Sequence, residues 1–232
     1  MSSSVITATG LRKSYGTTRA LAGVDLRISP GESVAIMGAS GSGKTTLLHV
    51  LAGIITPDQG SVTFTPAQAG VHIEVTALND RERSRLRRER FGFVFQQGLL
   101  IPELTAIENV ALASMLTGHS RQEAEQLAGA WLASLGLAGM ELRRIGELSG
   151  GQAQRVAIAR AQVTGAEVVF ADEPTGALDS ATSTEVMDAL LWSTTGQGRT
   201  LVLVTHDAQV AARCSRTVTV RDGLIVAQEV AA

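Results

Sequence analysis

Ser33-Val34-Ala35-Ile36-Met37-Gly38-Ala39-Ser40-Gly41-Ser42-Gly43-Lys44-Thr45-Thr46 reads as a short apolar strand, a glycine-rich loop and a helix starting near Lys44. Gly38 to Thr45 fits G-x-x-x-x-G-K-[ST] and sits between strand and helix, the context this pattern requires. Glycines let the backbone curl so that several N–H groups point inward, and a helix N-terminus adds partial positive charge. Such a cradle suits phosphate oxygens. The Gly38, Ser40, Gly41, Ser42 and Gly43 backbone would line it, and Lys44 would reach the β- and γ-phosphates. The Thr45 hydroxyl would ligate Mg²⁺, which prefers hard oxygens in an octahedral shell, and Thr46 would support a neighbouring phosphate. Only two lysines, Lys13 and Lys44, stand among the 20 basic residues, so the placement of Lys44 carries weight.

Two other buried strands end in chemistry. Val168-Val169-Phe170-Ala171 runs into Asp172-Glu173-Pro174, and Leu201-Val202-Leu203-Val204 runs into Thr205-His206-Asp207. Continuous apolar runs suit strands covered on both faces of a parallel sheet, and ligands gather at the carboxyl ends of such strands. Pro174 disfavours a helical Glu173, so the acidic pair is expected on an extended strand end. His49, His72 and His119 lie in no such context and read as structural.

Leu148-Ser149-Gly150-Gly151-Gln152 is a second glycine-rich turn opening a second helix, Gln152 to Gln162. Serine is a good N-cap, and the flanking amides face outward to an anion. One nucleotide needs one phosphate loop, so this second anion-binding turn is surplus within one chain.

Elsewhere Val24, Leu26 and Ile28 alternate with polar residues as a half-buried strand does, and Pro30-Gly31 marks a turn. Residues 1–32 read as short strands and turns, and 60–77 as a small second sheet region. Phe91 to Phe95 reads as a strand ending at Gln96, with Gln97 as an adjacent competitor for its role. Residues 103–145 carry helical periodicity interrupted at Gly118, Gly136 and Gly139. The run 81–90 holds six arginines and two glutamates. It reads as a solvated helix face, with nucleic-acid binding as the alternative.

Composition sets bounds. The 232 residues can bury a substantial core, with 44% hydrophobic and 3% aromatic content. A net charge of −2 argues against a nucleic-acid surface. The single Cys214 excludes an internal disulfide and fits a reducing compartment. Met1-Ser2-Ser3-Ser4-Val5 lacks the basic and apolar regions of a signal peptide, and no apolar run is long enough to span a bilayer.

Leu148 to Gln152 spells LSGGQ, and with the phosphate loop and acidic pair the chain resembles the ATP-binding-cassette (ABC) ATPases over nearly its whole length. The resemblance implies an α/β P-loop NTPase fold: a RecA-like core with a mostly parallel sheet, a small antiparallel β subdomain and an α-helical subdomain. On that pattern 1–232 is one ABC domain. Residues 1–32 and 60–77 form the β subdomain, 33–59, 78–96 and 160–232 the core, and 97–159 the helical subdomain with the signature.

The resemblance also implies residue roles. Asp172 resembles the Walker B aspartate that holds Mg²⁺, and Glu173 the glutamate that orients and polarises the attacking water. His206 resembles the switch histidine at the γ-phosphate, and Gln96 the Q-loop glutamine that senses Mg²⁺ and links to a transmembrane partner. Tyr15 stands where the family stacks an aromatic on adenine, a contact that needs no exact hydrogen bonding. Ala177-Leu178-Asp179-Ser180 resembles the D-loop. Ser149, Gly150, Gly151 and Gln152 would act in trans on the ATP of a second cassette, in an isologous homodimer with two composite sites. Ala153, Gln162 and Ala166 depart from common family residues without removing a group the chemistry needs.

Phe93-Val94-Phe95-Gln96, Leu104 to Val110 and Pro174 to Asp179 look like the branch containing the macrolide-export (MacB), lipoprotein-release (LolD) and cell-division (FtsE) ATPases. That implies hydrolysis of ATP with Mg²⁺ to power a separate permease of FtsX- or MacB-like type. The expected work is export or mechanical transmission, from the cytoplasmic face of the membrane. An import cassette and a soluble ATPase acting on nucleic acid are the alternatives.

Overall fold

The computed structural model describes residues 4–67, 71–96 and 98–230. Met1 to Ser3, residues 68–70 of the expected second sheet region, and Gln97 lie outside the described residues. In chain order the elements begin with β1 (Ile6–Tyr15), β2 (Thr18–Ile28), β3 (Ser33–Met37), α1 (Lys44–Leu51), β4 (Gln59–Phe64), β5 (Ile73–Glu74), α2 (Asp80–Arg90) and β6 (Phe91–Phe95). They continue with α3 (Ala106–Met115), α4 (Arg121–Ser134), α5 (Gly150–Gln162), β7 (Val168–Asp172), α6 (Ser180–Ser193), β8 (Thr200–Val204), α7 (Ala208–Ala211), β9 (Arg216–Arg221) and β10 (Leu224–Val230). Two compact units divide the chain: Met1–Arg87 with Gly198–Ala232, and Arg88–Gln197.

The first unit holds two sheets. One is antiparallel in the order β2-β1-β4-β5. Its strands β1 and β2 are longer than the short strands expected over residues 1–32. Register irregularities after Ala8, Leu11 and Lys13 break the alternation while the pairing runs on. The expected strand over Val24 to Ile28 is the end of β2, with Val24, Leu26 and Ile28 buried and Asp25 and Arg27 exposed. In the other sheet β3 lies between β8 and β9, parallel to both, and β10 pairs antiparallel with β9. All of β8 is buried, as a continuous apolar run on an inner strand should be.

The second unit pairs β6 with β7 in parallel. Phe170 of β7 packs against Phe91 edge-on and against Phe93 in a stack, with centroids 5.2 and 5.8 Å apart. Helices α3 and α4 each start with a capping box, Thr105 with Glu108 and Ser120 with Glu123. Trp131 on α4 meets Trp192 on α6 edge-on at 6.5 Å.

The helical periodicity expected to 145 stops at Ser134. Gly136 and Gly139 take φ of +74° and +82°, and the chain doubles back toward the start of α3. There the carbonyls of Glu141 and Arg143 accept from Ile107 N and Ala106 N at 2.9 and 2.8 Å. Those first-turn amides have no partner inside their own helix, so the returning segment satisfies them.

The arginine run is α2, a solvated helix face on which Leu86 is the buried residue. Arg87 donates to Gly53 O at 2.6 Å, Arg83 to Leu78 O at 2.7 Å and to Asp80, and Arg90 pairs with Glu167 at 2.7 Å. Among the described residues no helix is long and apolar enough to cross a membrane.

Candidate nucleotide site

In the first unit the chain leaves β3 at Met37 and curls at once. Gly38, Gly41 and Gly43 take φ of +152°, +76° and +102°. A Cβ at Gly38 would lie 2.1 Å from Val220 O, and one at Gly43 2.2 Å from Ala20 O. Both positions are therefore closed to any side chain. Lys44 folds back along the loop and is 7% exposed. Its Nζ donates to Gly38 O at 2.8 Å and Ala39 O at 2.9 Å.

The start of α1 is open to an anion. Gly43 is its N-cap, no side chain caps it, and no acidic residue sits in its first turn. The helix's own pattern leaves its first amides without internal partners. Ser42 Oγ is buried and makes no hydrogen bond, a cost of about 1–3 kcal/mol until an acceptor arrives. A phosphate oxygen would remove it, so these residues fit a nucleotide.

The loop is braced from outside. Asp222 and Gly223 take φ of +50° and +73°, which suits a two-residue hairpin turn between β9 and β10. Gly223 N donates to Ser42 O at 3.0 Å, and Gly223 O accepts from Ala22 N at 2.8 Å. Residues Gly38 to Ser42 and Thr219 to Asp222 line a cleft of about 240 Å³.

Tyr15 ends β1 before Gly16 and is 49% exposed. Lys13 Nζ sits 5.8 Å from the ring centroid and 2.9 Å from Asp58 Oδ1. His206 is exposed just past β8. Because β8 runs parallel to β3, with Ile36 opposite Val204, His206 and the phosphate loop leave the same edge of the sheet. Thr45 is exposed and Thr46 half-buried at the start of α1.

In the second unit Phe95 of β6 lies opposite Asp172 of β7. Gln96 and Glu173 are therefore the first residues past the ends of two neighbouring strands. Gly176 lies against both: a Cβ there would be 3.1 Å from Gln96 Nε2 and 3.5 Å from Glu173 Cβ. The sequence predicts an extended Glu173. Instead β7 stops at Asp172, and Glu173 takes φ of +48°. Pro174 disfavours the right-handed helical region, and the chain turns in the left-handed one. A non-glycine residue there stores on the order of 1 kcal/mol or more, a cost typical of functional sites.

Ser149 caps α5. Its Oγ accepts from Gln152 N at 3.3 Å, and Gln152 Oε1 accepts from Ser149 N at 2.9 Å. The Gln152 carboxamide is thus engaged in the capping box. The two glycines differ in kind. Gly150 is exposed; Gly151 is buried, where a Cβ would lie 2.3 Å from Thr182 Cγ2. Asp179 caps α6, accepting from Thr182 N at 3.0 Å and Thr182 Oγ1 at 2.7 Å. Those bonds hold its carboxyl below the usual range.

His72 and His119 hydrogen-bond to the hydroxyls of Thr65 and Ser114, as structural histidines do. The Asp222-Gly223 brace and the Gly151–Thr182 contact are not among the sequence expectations. The Asp-Gly dipeptide next to alternating Val218 and Val220 is the signal for the first; nothing local marks the second.

The family model for ABC transporters matches residues 21–176. The macrolide export ATP-binding/permease protein MacB of Rhodopseudomonas palustris (strain BisB18) is 46% identical over 98% of this chain and 34% of its own length. The pyoverdine export ATP-binding/permease protein PvdT of Pseudomonas putida is 45% identical over 100% of this chain and 35% of its own. The chain therefore spans about a third of the length of these relatives. Among solved structures, the dimeric bacterial ABC transporter cassette MJ0796 superposes with a TM-score of 0.87 at 38% identity, covering 98% of this chain and 99% of that one. A dimeric post-hydrolysis state of MJ0796 bound to ADP and Pi gives 0.86 at 37% identity, with the same coverage. These relatives carry the α/β cassette fold and lie in the MacB-like branch that the FVFQ and PTGALD segments suggest, so the chain belongs to the ABC transporter family and is one of its ATPase domains.

Proposed function

We propose that the chain binds MgATP and hydrolyses it as half of a two-cassette engine for a membrane permease. The observation that carries this reading is the phosphate loop. It has two glycines closed to any side chain, Lys44 held against it and a buried Ser42 hydroxyl with no partner. Lys44 and the loop amides hold the β- and γ-phosphates, and the exposed Tyr15 offers its ring to the base.

Thr45, Asp172 and Gln96 offer the hard oxygens Mg²⁺ requires. Mg²⁺ is usually held by one or two carboxylates and the substrate's own phosphates. Mg²⁺, when bound, neutralises charge on those phosphates. Glu173 orients the attacking water and takes its proton, and His206 holds the γ-phosphate end in line. General-base assistance contributes roughly 10²- to 10⁴-fold; the rest is positioning and charge stabilisation.

The signature Ser149, the Gly150 and Gly151 amides and the Asp179 turn serve the ATP of a second copy. The dimeric MJ0796 cassettes support this pairing. The relatives named ATP-binding/permease proteins support export, with the permease as a separate polypeptide or as part of the same protein. The cassette then works at the cytoplasmic face of the membrane. The deciding experiment measures MgATP binding, turnover and sedimentation of the Glu173→Gln variant. The proposal expects ATP-dependent dimers with little turnover. Normal turnover, or monomers at saturating ATP, overturns it.

A further inference from the structure

Helix α5 begins at the signature and ends with Arg160 in its last turn. Arg160 Nη1 donates to Leu99 O at 2.7 Å, and its Nη2 to Gly98 O at 2.7 Å. Two consecutive left-handed residues, Gly98 at φ +67° and Leu99 at φ +47°, bring both carbonyls to one guanidinium. Burial among neutral groups pushes the Arg160 pKa down, a cost set against two short charged hydrogen bonds. Nearer the signature, Gln154 is 4% exposed and its Nε2 donates to Phe95 O at 3.0 Å. Thus α5 grips the chain on both sides of Gln96, at Phe95 before it and at Gly98 and Leu99 after it.

The gripped segment also carries an exposed apolar lip. Leu99 is 60% exposed and Ile101 40%. Its far end is fixed by Asn109, 2% exposed, which accepts from Ile101 N at 2.8 Å and donates to Ile101 O at 3.0 Å. A loop held at three backbone points moves with what holds it.

We propose that Arg160 is a positioning residue that joins the segment after Gln96 to the signature helix, so that Ser149 and the Leu99–Ile101 lip shift as one piece. This rests on the ATPase reading above and adds a specific route by which Gln96 and the signature are coupled. The fork matters here because the two carbonyls are met by two separate nitrogens held in one plane, Nη1 and Nη2, whereas a lysine offers a single nitrogen on a flexible stem. Charge-assisted hydrogen bonds are roughly twice as strong as neutral ones, so losing the fork should release the loop.

The test uses the full chain with Arg160→Met and Arg160→Lys, reading ATPase kcat and KM and amide hydrogen exchange across residues 98–104. The expected result for both variants is a KM for ATP within about twofold of wild type and a kcat lowered about tenfold or more, as scaled from those bond strengths. Exchange across 98–104 should quicken by a similar factor while the β3 and β8 amides stay protected. Wild-type kcat in Arg160→Lys, or a lowered kcat with unchanged exchange at 98–104, overturns the proposal. A raised KM in step with kcat also overturns it, since that marks general damage. If Arg160→Met does not fold, Arg160→Lys and Arg160→Gln carry the same readouts. A wild-type chain with no ATPase activity fails the parent reading instead, and the loop-exchange result still stands or falls by itself.

Discussion

Gly151 of the signature and Thr182 of α6 are in backbone-to-side-chain contact: a Cβ on the glycine would sit 2.3 Å from the threonine methyl. The same threonine binds the Asp179 carboxylate with both its amide and its hydroxyl. One methyl therefore registers the signature turn against the D-loop turn within a single unit.

Gly151→Ala should lower both stability and turnover. In an open helix the change would stabilise by about 0.5–1 kcal/mol, but overpacking costs about 1–3 kcal/mol, and the contact here is too short for the first effect to win. Thr182→Ser removes the obstructing methyl and keeps the hydroxyl for Asp179. Thermal melts of the two single variants and the double variant check this. The double variant should recover most of the loss, and simple additivity would mean the two residues do not communicate.

Replacing Glu173 separates strain from catalysis. Glycine bears left-handed φ freely, whereas alanine there keeps a penalty of about 1–2 kcal/mol. Glu173→Gly should melt above Glu173→Ala by roughly 2–8 °C for a chain of this size. Both should lose turnover by about 10²-fold or more. A higher melting point for the alanine variant would argue against the left-handed turn.

Lys44→Ala should weaken ATP binding about a hundredfold, on the order of 2.8 kcal/mol, and leave Gly38 O and Ala39 O without their donor. Calorimetric titration with ATP measures the first effect and a denaturant midpoint the second. Undiminished ATP affinity would remove the loop from the site.

Cys214 makes a pH prediction. Burial pushes its thiol up to about 11 from an ordinary 9.0. The folded state therefore holds the proton more tightly than the unfolded one. The resulting stability is present below pH 9 and is lost as the pH rises toward 11. Cys214→Ala should flatten the alkaline end of the stability curve, and the native thiol should resist alkylation at pH 8.5.

Much of the site was legible because each motif is contiguous. Gly38 to Thr45, Asp172-Glu173 and Ser149 to Gln152 carry their chemistry in neighbouring letters, and buried strands leading into them gave the context. Contacts between distant segments were not legible. Gly151 spells like Gly150, yet Gly150 is exposed and Gly151 is buried against Thr182, 31 residues away. The turn back over Leu135 to Arg144 serves amides at the start of α3, a partnership that periodicity does not register. The left-handed Glu173 escaped for another reason: Pro174 states which region is disfavoured, not which remaining one the packing selects.

The Asp222-Gly223 turn has a consequence in time. The phosphate loop lies in the first fifth of the chain, but Gly38 rests on Val220 and Ser42 is bonded to Gly223. A ribosome-bound nascent chain can have all of Gly38 to Thr46 outside the tunnel and still lack the wall that shapes it. The cleft that Thr219 to Asp222 help to line is therefore completed only after nearly all of residues 1–232 have been synthesised.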